Sequence, residues 1–180
     1  MAQLVFAPPV KLADGRYFVK MSNADNSRIF KQLNNCKMVG PSCYEVPVDL
    51  SSYDSMIIDQ ATSSSEAWFG KVIPAETLKN MYETSITSNV FEATLMKVKG
   101  KCVTVVFNQD KEEVSIDELK DGCTCNLMVE LSGIWFLKKN FGPIWRVAQA
   151  RLVNSEKVVP RKYMFEDDTQ GDDQDLEDFS

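Results

Sequence analysis

Rings and cations share one stretch of this 180-residue chain, Leu131 to Leu152, which reads LSGIWFLKKNFGPIWRVAQARL. It holds Trp135, Phe136, Phe141 and Trp145 together with Lys138, Lys139, Arg146 and Arg151. Such a mixture suits non-covalent chemistry with single-stranded nucleic acid. Unpaired bases stack on rings for about 1–3 kcal/mol each, while cations track the phosphates. The same pattern also describes a plain amphipathic strand whose cations snorkel to water. Lys97, Lys99 and Lys101 form a second cationic cluster, and Arg16, Tyr17 and Phe18 a third.

The remaining charge is arranged around that stretch. Residues 166–180 carry eight acids and no base. Without them, 18 of the 26 acids remain against 20 bases, so the net charge of −6 hides a slightly basic body and an anionic tail. Between Leu131 and Phe165 seven bases face one acid, Glu156. A tail this charged and this poor in apolar groups cannot bury enough surface to offset its ordering, and disorder is expected for it. A tethered polyanion also competes with phosphate for the basic stretch just upstream. Within the tail, Asp172, Asp173, Asp175, Leu176, Glu177, Asp178 and Phe179 combine acid with two apolar side chains, a pattern suited to docking on a partner.

Covalent and metal chemistry is poorly supplied. The chain has no histidine, which removes the commonest general base and metal ligand. Five cysteines and no basic leader before the first apolar run point to reduced thiols in an intracellular protein. Cys36, Cys43, Cys123 and Cys125 stand at C-x6-C and C-x-C spacings, poor matches to zinc knuckles, so small buried or strand-edge cysteines are expected. No phosphate-loop, nucleophile-elbow or zinc-protease motif occurs. The reading is therefore of a binding protein with no catalytic residue, cofactor or metal, and without a membrane span.

These residues need elements to hold them. Gly15 opens RYFVKM, a strand candidate, and RIFKQL returns after the polar SNADNS. Asn34-Asn35 marks a turn before CKMV. Ser51–Ser65 is serine-rich and hard to assign. A short helix is expected before Gly70, and a second helical stretch after Pro74, with Leu78, Met81 and Tyr82 on one stripe. From Asn89 apolar residues alternate with a period of two, and successive strands with short turns run to the end of the ring-and-cation stretch. This predicts a mainly β fold: a small five-stranded Greek-key barrel of OB type with N-terminal hairpins and one short helix, over residues 1–165, then the tail at 166–180.

The register of the last hairpin decides which rings are free. A three-residue turn at Asn140-Phe141-Gly142 with Gly142 left-handed pairs Leu137 with Trp145. Trp135, Leu137, Trp145 and Val147 then face the core. Ile134, Phe136, Lys138, Ile144, Arg146 and Ala148 share the other face, with Phe141 at the tip. The candidate nucleic-acid contacts are accordingly Phe136, Lys138, Lys139, Phe141, Arg146, Arg151, Lys97, Lys99, Lys101 and Tyr17.

The strand-turn-strand GIWFLKKNFGPIWRVAQ, followed by an acidic end closing on an aromatic in DLEDFS, resembles the single-stranded-DNA-binding family of short-tailed phages. That family has counterparts in large nucleocytoplasmic DNA viruses, notably those of algae. The resemblance covers roughly Asn89 to Ser180, and departs in ending on Ser180 rather than on the aromatic. It implies an OB-fold core that binds single-stranded DNA without sequence preference, in viral replication and recombination inside the infected host cell. It also implies a tail that shields the DNA site and contacts a replicative polymerase or primase-helicase, and a possible homodimer. The alternative is a structural protein of a virion, a minor capsid component with a β-barrel and no DNA affinity.

Overall fold

The computed structural model describes residues 3–153. The acidic tail, with every docking residue assigned to it, lies outside them. Among the described residues the fold is mainly β. The strands are β1 (Leu4–Phe6), β2 (Val10–Lys11), β3 (Tyr17–Asn23), β4 (Ile29–Gly40) and β5 (Cys43–Glu45). Three α-helices follow: α1 (Ser51–Ser63), in the serine-rich stretch that was hard to assign, and α2 (Ser65–Phe69) and α3 (Ala75–Met81), at the helical stretches expected before Gly70 and after Pro74. Then come β6 (Ile86–Thr87), β7 (Val90–Glu92), β8 (Thr94–Leu95), β9 (Lys97–Val98), β10 (Lys101–Cys102), β11 (Val105–Phe107), β12 (Glu113–Val114), β13 (Thr124–Phe136) and β14 (Phe141–Leu152).

β13 and β14 form the centre. The main sheet runs β12-β11-β14-β13-β4-β5-β7-β6, and β9 pairs separately with β10. On its free side β13 takes two antiparallel partners in succession, β4 along Thr124–Leu131 and β3 along Gly133–Phe136. β14 pairs antiparallel with β13 and parallel with β8 and β11. Gly133 permits the close approach of β3, because a Cβ there would fall 2.3 Å from the Val19 carbonyl oxygen and 2.5 Å from the Phe18 ring.

Single extra residues bend these strands and change which face each side chain takes. In β4, Leu33 and Cys36 both point inward although three residues apart. Asn35 absorbs the extra residue at φ 57°, a conformation asparagine tolerates, and its N–H donates to Asn126 Oδ1 at 2.9 Å. In β13 the extra residue is Ser132, so Leu131, Ile134 and Phe136 all face the core. In β14 it is Ala148, which puts Trp145, Val147 and Ala150 on that same side.

The helices cover this inner face. Ile57 and Ala61 of α1, Trp68 of α2 and Leu78 of α3 are buried against the sheet. Tyr53 meets Trp145 edge-on at 5.4 Å. Beneath α1 lies a buried polar knot. Asp54 accepts from Tyr82 Oη at 2.5 Å, from Ser85 Oγ at 2.8 Å and from the Ser85 N–H at 3.1 Å. The Trp145 indole N–H donates to Ser85 Oγ at 2.9 Å. One carboxylate thus ties α1 to the segment after α3 and, through Ser85, to β14.

Candidate nucleic-acid interface

The hairpin tip differs from the expected turn. Phe136 pairs with Phe141, Trp135 with Gly142 and Leu131 with Trp145. The loop is the four residues Leu137 to Asn140, closed by the Leu137 N–H donating to the Asn140 carbonyl at 2.8 Å. Gly142 sits within β14, and glycine is needed there for space: a Cβ would lie 3.1 Å from the Glu83 carbonyl oxygen and 3.3 Å from Trp135 Nε1. Trp145 is buried as expected. Several placements near the tip need correcting: Trp135 and Leu137, assigned to the core, are half-buried and exposed, and Ile134, assigned to the free face, is buried. Phe136 and Phe141, assigned to the free face and the tip, are 2% and 0% exposed. The chain turns at Leu137–Asn140, an odd shift from the expected register, which puts Phe136 on the same side as Trp145 and draws Phe141 into the strand opposite it.

What the tip does present is a cleft of about 900 Å³. Its floor is an aromatic ladder. Tyr17 stacks on Phe136 at 5.4 Å with rings 16° from parallel, and Phe136 stacks on Trp68 at 6.1 Å and 17°. Phe69 tilts onto Phe136 at 5.1 Å. The outer rung, Tyr17, is 41% exposed. Lys11, Lys138 and Lys139 stand exposed on the rim. α2 supplies one wall and ends at Gly70, whose φ of 80° allows the helix to stop there. Asn140 Nδ2 donates to Glu83 Oε2 at 2.9 Å and holds the loop against the segment after α3.

Four candidates therefore come together in the cleft: Tyr17, Phe136, Lys138 and Lys139. Arg146 and Arg151 lie elsewhere, on the sheet face away from the helices. Arg146 is engaged, with Nη2 3.3 Å from Glu130 Oε1. Arg28 meets the same carboxylate at 2.8 and 3.0 Å and lies over the Phe30 ring at 5.5 Å. Burial pushes the Glu130 carboxyl up, but the hydrogen bond and charge of Arg28, backed by Arg146, outweigh it and hold the group below its ordinary range. The stability this provides is complete above the unfolded carboxyl range, near about pH 4.3, and is lost as pH falls through the lower folded value. Urea midpoints of the wild type and Glu130→Gln are expected to differ most at neutral pH and to converge towards pH 3.

Lys97, Lys99 and Lys101 occupy the β9–β10 hairpin, turned by Lys99 at φ 52° and Gly100 at φ 81°. Thr104 anchors this hairpin to β14 by accepting from the Met96 N–H at 2.7 Å and donating to the Val147 carbonyl at 2.5 Å. The three lysines are exposed and do not line the cleft.

The cysteines gather elsewhere. Cys36 and Cys125 are register partners on β4 and β13, both fully buried, and burial pushes the Cys36 thiol up to about 11. With Cys123 and Cys43 they surround the buried Tyr44 phenol, which burial first and then these thiols push up. Among the described residues no three metal-ligating side chains converge on a common point.

Sequence reasoning missed Lys11 and the part played by Trp68 and Phe69. The strand and helix signals around them were visible, but nothing local told that they meet Phe136. No helix among the described residues is long and apolar enough to cross a membrane. Comparison with protein families matches residues 45–167 to a family of unknown function, DUF5871. The matched segment contains Trp68, Phe69, Phe136, Lys138 and Lys139 and begins after Lys11 and Tyr17. No curated protein matches the chain.

Proposed function

The chain belongs to the DUF5871 family, and we propose that it binds single-stranded DNA without sequence preference, through the cleft at the tip of the β13–β14 hairpin. The observation that carries this reading is the Tyr17–Phe136–Trp68 ladder opening between Lys11, Lys138 and Lys139. A stacking ring held in place by two others behind it loses little freedom when a base is added, and lysines on the rim follow the phosphates. The resemblance of the C-terminal half to phage and viral DNA-binding proteins supports the same reading, as do the bends in β13 and β14, which curve a sheet in the way an OB-type barrel requires. In this reading the acidic residues 166–180 compete with DNA for the rim and dock on a replicative polymerase or primase-helicase.

Titration with oligo-dT at two salt concentrations tests the proposal. Binding is expected to be salt-sensitive and much tighter than to duplex. Tyr17→Ala is expected to cost about 1–3 kcal/mol of affinity. Replacing Lys138 and Lys139 with alanine is expected to lower the slope of log K against log salt by about 1.4. Equal affinity for duplex, or no binding at low salt, would sink the idea.

A further inference from the structure

A second concavity lies on the sheet face away from the helices, across β4, β13, β14 and β11. Its volume is about 260 Å³, close to the lower bound of roughly 300 Å³ for small-molecule sites. It is sized for one small ligand. Two rows of side chains build it. Gln32, Met128 and Gln149 stand side by side on β4, β13 and β14. Asn126, Arg151 and Phe107 do the same on β13, β14 and β11. Lys111 closes one end from the β11–β12 turn.

The hydrogen-bonding directions are partly fixed. A backbone N–H only donates, so the Asn35 amide at 2.9 Å requires the Asn126 oxygen, leaving the Asn126 NH₂ to donate elsewhere. Gln32 Nε2 donates to Asn34 Oδ1 at 2.9 Å, which leaves the Gln32 carbonyl as an acceptor. Gln149 is exposed and adds both a donor and an acceptor. No lining residue is acidic, and Arg151 and Lys111 are cationic. The pocket therefore offers donors and acceptors side by side, a ring and a thioether for a flat apolar surface, and positive charge at one end.

We propose that this pocket binds one nucleotide unit. The amides of Gln32, Asn126 and Gln149 meet the base edge, Phe107 and Met128 its face, and Arg151 and Lys111 its phosphate. Asn and Gln amides match base edges because both carry a donor and an acceptor on one plane. The proposal stands apart from the cleft, since no residue lines both concavities. The unit is either a free nucleotide or one member of a strand crossing the sheet face.

The test uses the full chain with four separate probes: the four deoxynucleoside monophosphates, inorganic phosphate, oligo-dT, and an abasic oligomer of equal length. Binding is read by calorimetry and amide chemical shifts. At least one monophosphate or oligo-dT is expected to perturb the pocket and to bind more tightly than inorganic phosphate or the abasic oligomer. Arg151→Ala is expected to weaken that binding about tenfold, the loss of a charged hydrogen bond. Gln149→Leu is expected to reduce the preference for base-bearing ligands. A Lys138→Ala, Lys139→Ala variant, altered only in the cleft, is expected to keep monophosphate binding. Weakening of the monophosphate assigns the pocket to a free nucleotide, and weakening of oligo-dT alone assigns it to a strand; either supports the proposal. Phosphate binding as tightly as every nucleotide, or pocket variants that change neither ligand, overturns it. If the cleft variant loses oligo-dT while pocket variants change nothing, the strand-binding reading survives and this one fails.

Discussion

Phe136→Ala is expected to lower stability by about 4 kcal/mol, within the range for removing a buried phenylalanine. The side chain is 2% exposed and touches three other rings, so its removal strips packing from Tyr17, Trp68 and Phe69 together. Domains of this kind hold only about 5–15 kcal/mol in total, so a large share of the folded state's margin goes with one ring. A urea denaturation series measures it. Phe136→Leu separates packing from stacking. It keeps most of the volume and is expected to cost under about 1.5 kcal/mol, yet it leaves Tyr17 with no parallel ring behind it. If the alanine variant lost less than about 1 kcal/mol, the burial of this ring would not be a determinant of the fold. If the leucine variant bound oligo-dT as the wild type does, the ladder would not be the stacking platform.

Asp54→Ala is expected to cost about 3–4 kcal/mol for a different reason. Its carboxylate is 7% exposed and accepts from the Tyr82 hydroxyl and from both the hydroxyl and the amide of Ser85. Alanine leaves these donors in the interior with nothing to bond, and each unsatisfied group costs about 1–3 kcal/mol. Asp54→Asn keeps an acceptor and is expected to lose roughly half as much. The measurement is the denaturation midpoint, read alongside Trp145 fluorescence, because the indole hydrogen-bonds to the Ser85 hydroxyl that Asp54 orients. A normal midpoint with an altered Trp145 signal would show that the knot positions side chains without adding to stability.

Some of this was legible in the chain. The hairpin, the glycine-stopped α2 and the helix after Pro74 carried local signals. Gly70 adopts the left-handed conformation its identity suggested, and α3 begins directly after its proline. α1 carried almost no signal, since only Asp54, Ile57 and Ala61 of its thirteen residues are buried. Three inward positions, one of them an acid, make too sparse a stripe among serines. The extra residues Ser132 and Ala148 were also invisible, because neither differs in type from an ordinary strand residue. Phe136 was placed on the wrong face because Gly142 suggested a turn at Asn140–Gly142, whereas the chain turns at Leu137–Asn140. The cleft was less legible still: Lys11, Tyr17, Trp68 and Phe136 share no periodicity and meet only through the sheet order.

That order sets a schedule for the growing chain. β3 and β4 are complete by Gly40, but the strand both lie against, β13, begins about eighty residues later at Thr124. At ribosomal speeds of about 5–20 residues per second, their apolar faces wait on the order of ten seconds for a partner. β8 and β11 wait too, each for a parallel contact with β14 that only a long loop can close. Among the described residues the last strands to be made, β13 and β14, are the ones that convert a collection of unpaired edges into a sheet, and until they arrive the nascent chain is a substrate for chaperones and for its own neighbours.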